Sequence, residues 1–160
     1  MNVIVGVADC QVTDDPANVL VTYALGSCVG VAIYDPVAKV GGMLHFMLPS
    51  GSADAVQNGK SPFMFADSGI PLLFRSAYEK GAQKGRLRVK VAGGSQIMDA
   101  EGVFNIGQRN CLAMKKIFWK AGVIVHAEDT GGSKPRTMRL EMGTGRVFIK
   151  SPDASEEKEL

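Results

Sequence analysis

Val19-Leu20-Val21-Thr22-Tyr23-Ala24-Leu25 runs into Gly26-Ser27-Cys28, and then into Val29-Gly30-Val31-Ala32-Ile33-Tyr34. Both long runs are rich in β-branched and aromatic residues, and the break between them is small and permissive. The stretch therefore predicts two strands joined by a short connection. No charge falls between Pro16 and Tyr34, a length that raises the question of a membrane span. Thr22, Gly26, Ser27 and Gly30 interrupt it and its composition favours strand, so it reads as two buried strands with no direct membrane insertion.

Outward from this pair, Val3-Ile4-Val5-Gly6-Val7 predicts an earlier strand and Asp14-Asp15-Pro16-Ala17-Asn18 a turn. Val40 to Leu48 predicts a third strand. Asp35-Pro36 with Gly41-Gly42 marks a hairpin-like connection that returns it beside the run from Val29 to Asp35. Pro49 to Ser61 has no periodicity and reads as a loop. Ile70, Leu73, Phe74 and Ala77 follow helical spacing within Asp67 to Gln83, and Gly81 and Gly85 act as stops. Leu87 to Ala92 is a strand and Gly93-Gly94-Ser95 a turn. Asn105 to Ala121 is a second helix with Cys111, Met114, Phe118 and Ala121 on one face, and Asn105 with Gln108 is a variant capping box. Phe104 then occupies the staple position with Arg109 in place of the usual apolar partner, which makes it a candidate partner contact. Val123 to Ala127 is a further β-rich run, and Thr137 to Met142 with Arg146 to Lys150 predicts a closing hairpin around Gly143-Thr144-Gly145. Strands outnumber helices, so the fold class is an α/β sandwich of mixed sheets.

The chain has 160 residues, enough for one domain with a core that needs neither disulfide nor metal. A net charge of +2 is too small to argue for nucleic acid. Four of the 16 carboxylates and one of the 18 cations fall in Ser151 to Leu160, leaving +5 on residues 1–150. The division is therefore a domain over 1–150 and an acidic, solvated tail over 151–160. Cys10, Cys28 and Cys111 are odd in number and scattered, and no charged-then-apolar leader opens the chain. A reducing cytoplasm fits this best. Gly93-Gly94 and Gly131-Gly132 form no phosphate-binding fingerprint, so no nucleotide is implied.

Cys28 at a break between strands has two readings. As a small hydrophobe it belongs in the core. As a nucleophile it needs a neighbour to take its proton and a backbone that presents it, and Gly26 and Gly30 supply that backbone. Only His45 and His126 can be an imidazole base, and the hairpin favours His45, which it returns beside Cys28. Cys28, His45 and His126 are metal-ligating types, but their spacing matches no compact site and no fourth ligand is evident, so no metal or other cofactor is expected.

Thr22-Tyr23-Ala24-Leu25-Gly26-Ser27-Cys28-Val29, Tyr34-Asp35-Pro36 and Gly41-Gly42-Met43-Leu44-His45-Phe46-Met47-Leu48-Pro49 resemble the chemoreceptor glutamine deamidase family, CheD. Val89 to Gly94, Asn105-Ile106-Gly107-Gln108-Arg109-Asn110, and Asp129-Thr130-Gly131-Gly132 with Arg136 are similar to its later signatures in the same order. Ser95 stands where the family leads one to expect alanine, and Ser133-Lys134-Pro135 separates the glycine pair from Arg136. The resemblance implies a three-layer α/β/α sandwich and a cysteine hydrolase that turns receptor glutamines into glutamate with release of ammonia. Cys28, His45 and Thr22 match its nucleophile, base and third catalytic residue. Backbone N–H groups at Ser27 and Cys28 would then hold the oxyanion. Hydrolysis of receptor glutamyl methyl esters is a secondary expectation, since both substrates share the acyl centre. The implied partners are the chemoreceptor cytoplasmic domain, as substrate, and CheC, a chemotaxis phosphatase. The rival reading is a non-catalytic binding module in which Cys28 is simply buried.

Overall fold

In the computed structural model, which describes residues 1–96 and 105–160, the strands build two sheets. The strands in the first half are β1 (Asn2–Ile4), β2 (Asp9–Thr13), β3 (Val19–Leu25), β4 (Val29–Asp35) and β5 (Val40–Phe46). Helices α1 (Ser52–Gln57) and α2 (Ala66–Glu79) precede β6 (Arg88–Gly93), and α3 (Ile106–Ala121) follows it. The chain closes through β7 (Ala127–Thr130), β8 (Arg136–Glu141), β9 (Arg146–Lys150) and β10 (Lys158–Glu159). One sheet has the order β1-β3-β8-β9-β10 and the other β2-β5-β4-β6-β7. Both are mixed, because β1 runs parallel to β3 and β6 parallel to β7 while their other pairs are antiparallel.

Every residue of β4 and β5 is buried, since both strands are covered on both faces. Val29, Val31, Ile33, Leu44 and Phe46 face Ile70, Leu73, Phe74 and Ala77 of α2 and Met114 and Phe118 of α3. The opposite faces carry Ala32, Tyr34 and Met43, which pack against Leu20, Leu25, Met138, Leu140 and Ile149 of the other sheet. The two cores share β4 and β5, which makes this one α/β sandwich. Its three layers run helix, sheet, sheet, whereas the resemblance implied helix, sheet, helix. Helices α2 and α3 pack on the β2-β5-β4-β6-β7 sheet, whose other apolar face is already satisfied by the first sheet.

The boundaries of β3 and β4 coincide with the expected strands, and α3 starts one residue after Asn105. Asn105 holds the cap with a left-handed backbone, φ 51°, in place of the extended conformation a capping box uses. The strand expected over Val123 to Ala127 begins only at Ala127, where pairing with Lys90 starts. The loop expected between Pro49 and Ser61 contains α1. Strand β2 had no counterpart in the reading of the sequence: Asp9, Gln11 and Thr13 alternate with only two apolar residues. The acidic end is exposed along 152–159, yet it adds β10 to the sheet and seats Leu160 against the intersheet core. Phe104, the candidate partner contact, lies outside the described residues.

Candidate active site

Strand register brings the site together. In β5 the period of two places Met43 and His45 on the face turned to the other sheet, and His45 pairs with Gly30 of β4. Cys28 lies two residues before Gly30, immediately ahead of the first residue of β4, and packs against the same intersheet core. On the facing sheet, Thr22 of β3 is buried with its side chain inward. A register shift between Thr22 and Leu25, with Ala24 at φ 55°, then turns the chain into the Gly26-Ser27-Cys28 connection.

Thr22 Oγ1 lies 2.7 Å from the carbonyl of Val5 and 2.8 Å from His45 Nδ1. A carbonyl only accepts, so the single hydroxyl proton goes to Val5. The hydroxyl oxygen must then accept from an Nδ1–H of His45. The neutral imidazole is thereby held with its lone pair on Nε2, an atom that is buried and has no hydrogen-bond partner among the described residues. Burial pushes the His45 pKa down to about 4, against an upward pull from the charge of Asp9, its cross-strand neighbour in β2. Burial also raises the Cys28 thiol, although its own backbone N–H acts in the opposite direction. Burial thus favours the neutral form of both the thiol and the imidazole.

The connection carrying Cys28 is anchored carbonyl by carbonyl. Gly26 O accepts from both the N–H and the hydroxyl of Ser95, each at 2.8 Å. Ser27 O accepts from Asn110 Nδ2 at 2.9 Å, and Cys28 O from Gly94 N at 2.9 Å. The Gly93-Gly94 turn is held from its other side by Gly131 N and Arg136 Nη1, both donating to Gly93 O, and Arg136 also pairs with Asp129. The separate sequence signatures thus converge behind the connection that carries Cys28. Asp9, Ser95 and Asn110 belong to this site and were not picked out from the sequence. Asn110 ends the run Asn105-Ile106-Gly107-Gln108-Arg109-Asn110 and Ser95 directly follows Gly94, but nothing local in the sequence marks their carbonyl partners.

His126 is not part of the arrangement. It precedes β7, where its Nδ1 accepts from Val89 N at 3.1 Å and its own N–H donates to Val89 O, which explains it as an edge anchor. Among the described residues no group of three or more His, Cys, Asp or Glu side chains is placed to hold a metal.

This fold and site define a small α/β protein with a loop-borne thiol and a hydroxyl-oriented imidazole bordering one intersheet core. Residues 47–151 match the family model described as CheD chemotactic sensory transduction. The chain is 53% identical over 150 residues to a Syntrophus aciditrophicus protein named probable chemoreceptor glutamine deamidase CheD 1, covering 94% of each. It is 50% identical over 158 residues to a Solibacter usitatus protein named probable chemoreceptor glutamine deamidase CheD, covering 99% of this chain and 92% of that one. Among solved structures it overlaps the Bacillus licheniformis hypothetical protein YfiH with a TM-score of 0.45 and 18% identity, covering 76% of this chain and 50% of that one. The chain belongs to the CheD family.

Proposed function

We propose that this protein deamidates glutamine side chains of chemoreceptor cytoplasmic domains, with Cys28 as nucleophile, His45 as base and Thr22 as the residue that orients the imidazole. The observation that carries the proposal is the hydrogen-bond chain from His45 Nδ1 through Thr22 to Val5, which leaves Nε2 as the proton acceptor. The names of its close relatives support the substrate class.

Starting from a neutral pair, Nε2 takes the thiol proton as Sγ attacks the carboxamide carbon. The C=O π pair moves onto oxygen, and the amides of Ser27 and Cys28 receive that oxyanion. These two amides donate to no backbone carbonyl among the described residues. Collapse of the tetrahedral intermediate breaks the C–N bond, and the proton on Nε2 leaves with the nitrogen as ammonia. Water, deprotonated by His45, then attacks the thioester, yielding glutamate and restoring the thiol. A glutamyl methyl ester would enter the same path with methanol as leaving group, which makes methylesterase activity a second, lesser reaction of this site. The receptor end that offers such side chains is cytoplasmic, and a CheC phosphatase is the regulatory partner we assign. Among the described residues no helix is long and apolar enough to cross a membrane.

The test is ammonia release, with a gain of about one dalton per glutamine, from a chemoreceptor cytoplasmic fragment mixed with wild type or Cys28→Ala. Release by wild type that is abolished in the variant is the expected outcome. Equal release by both would exclude Cys28, and no release by either would favour the binding-module reading.

A further inference from the structure

We infer that Asn110 and Ser95 are positioning residues that aim the oxyanion-binding amides, an inference that rests on Cys28 being the nucleophile proposed above. The peptide bonds of the described residues are all trans, so in each unit the C=O and N–H point in opposite directions. Holding the Gly26 carbonyl therefore fixes the direction of the Ser27 N–H, and holding the Ser27 carbonyl fixes that of the Cys28 N–H. Ser95 holds the first with two donors and Asn110 holds the second with its amide nitrogen. Both amides are turned away from their anchors, so neither is used up in securing the connection.

Asn110 does a second thing with the same nitrogen. Nδ2 also donates to Met47 O at 2.8 Å, two residues beyond His45. One buried side chain from α3 thus ties the nucleophile connection to the end of the strand that carries the base. Gly107 allows this, because a Cβ there would lie 2.5 Å from Ser95 O and 2.6 Å from Gly94 O, so only glycine lets α3 sit this close to the turn. Asn110 Oδ1 is buried without a hydrogen-bond partner among the described residues. An apolar residue would spare the fold that unpartnered oxygen, which argues that the side chain is kept for what its nitrogen holds. Ser95 stands where the family resemblance led to alanine, and its hydroxyl is a second hold on Gly26 O that alanine would lack.

The experiment compares two reactions of Cys28 read by mass spectrometry on the peptide that contains it. Acetylation by p-nitrophenyl acetate forms the S–C bond through an oxyanion and expels p-nitrophenolate, with the thiol proton passing to His45. Alkylation by iodoacetamide displaces iodide with no oxyanion. Asn110→Ala should slow acetylation about tenfold or more while alkylation changes by less than about twofold. Ser95→Ala should shift the same ratio about two- to fivefold, since its backbone N–H still holds Gly26 O. Parallel loss of both reactions would make Asn110 a purely structural anchor and overturn the inference, as would an unchanged ratio in a folded variant. Should Asn110→Ala fail to fold, the Ser95→Ala ratio decides. Neither reagent is a glutamine, so the result stands apart from whether receptors are the substrate.

Discussion

A single hydroxyl proton organises the chemistry at the residue scale. Because Val5 O takes it, Thr22 can only accept from His45, and the imidazole tautomer follows from that without any charged third residue. A neutral orienter suits this site: His45 is buried to 1% exposure, and a carboxylate there would carry its own desolvation cost. The same burial has a consequence for stability. His45 in the folded protein has its pKa lowered from 6.5 to about 4, so in that window the unfolded chain binds the proton and the folded chain does not. Its contribution is fully present above pH 6.5 and is lost as pH falls through about 4, on the order of 3 kcal/mol in all. Urea unfolding of wild type and His45→Gln between pH 7 and 4 should show a steeper loss of stability in wild type than in the variant. Parallel curves would place the histidine's pKa near its ordinary value in both states.

Among the elements, the turn at the end of β6 lies directly against the Cys28 connection. Gly93 has φ 108°, and a Cβ there would lie 2.3 Å from Cys28 O and 3.2 Å from Val29 Cα, both backbone atoms that cannot swing aside. Gly59 has a similar φ of 87° with nothing within 4 Å of its Cβ position. The two glycines separate strain from collision. Gly59→Ala should cost about 1 kcal/mol, the penalty of the left-handed backbone alone. Gly93→Ala should cost about 3 kcal/mol or more, since it adds a displacement of the Cys28 connection. Denaturant midpoints measure both, and equal costs would mean the connection can retreat from Gly93 freely.

For the molecule as a whole, the last ten residues close the first sheet. Glu157 makes a two-pronged contact with Arg139, which also lies over the Phe148 ring at 4.5 Å, and Glu159 pairs with Arg146. Exposed ion pairs of this kind contribute little each. The larger share comes from Leu160, which packs on the intersheet core while its N–H donates to Val147 O and its carbonyl accepts from Lys90. Removing residues 151–160 also uncovers the edge of β9 at Phe148 and Ile149. A chain ending at Lys150 should melt about 3 to 10 °C lower by calorimetry and aggregate more readily on heating. An unchanged melting temperature would restore the reading of an acidic, solvated tail.

By itself the sequence determined the elements whose signal is local. β3 and β4 stand at their expected residues because two apolar runs are bounded by small ones, α2 and α3 follow from 3.6-residue spacing, and Cys28 and His45 were singled out by the strand break and the hairpin. Only the tertiary structure decided what depends on distant residues meeting. Thr22 reaches His45 across the gap between two sheets, 23 residues away, and Asn110 reaches Ser27 and Met47 from 83 and 63 residues away. The mostly polar β2 becomes a strand because β5 offers it an edge. The order of the layers was likewise open, since an apolar strand records that both of its faces are covered and not whether a helix or a second sheet does the covering.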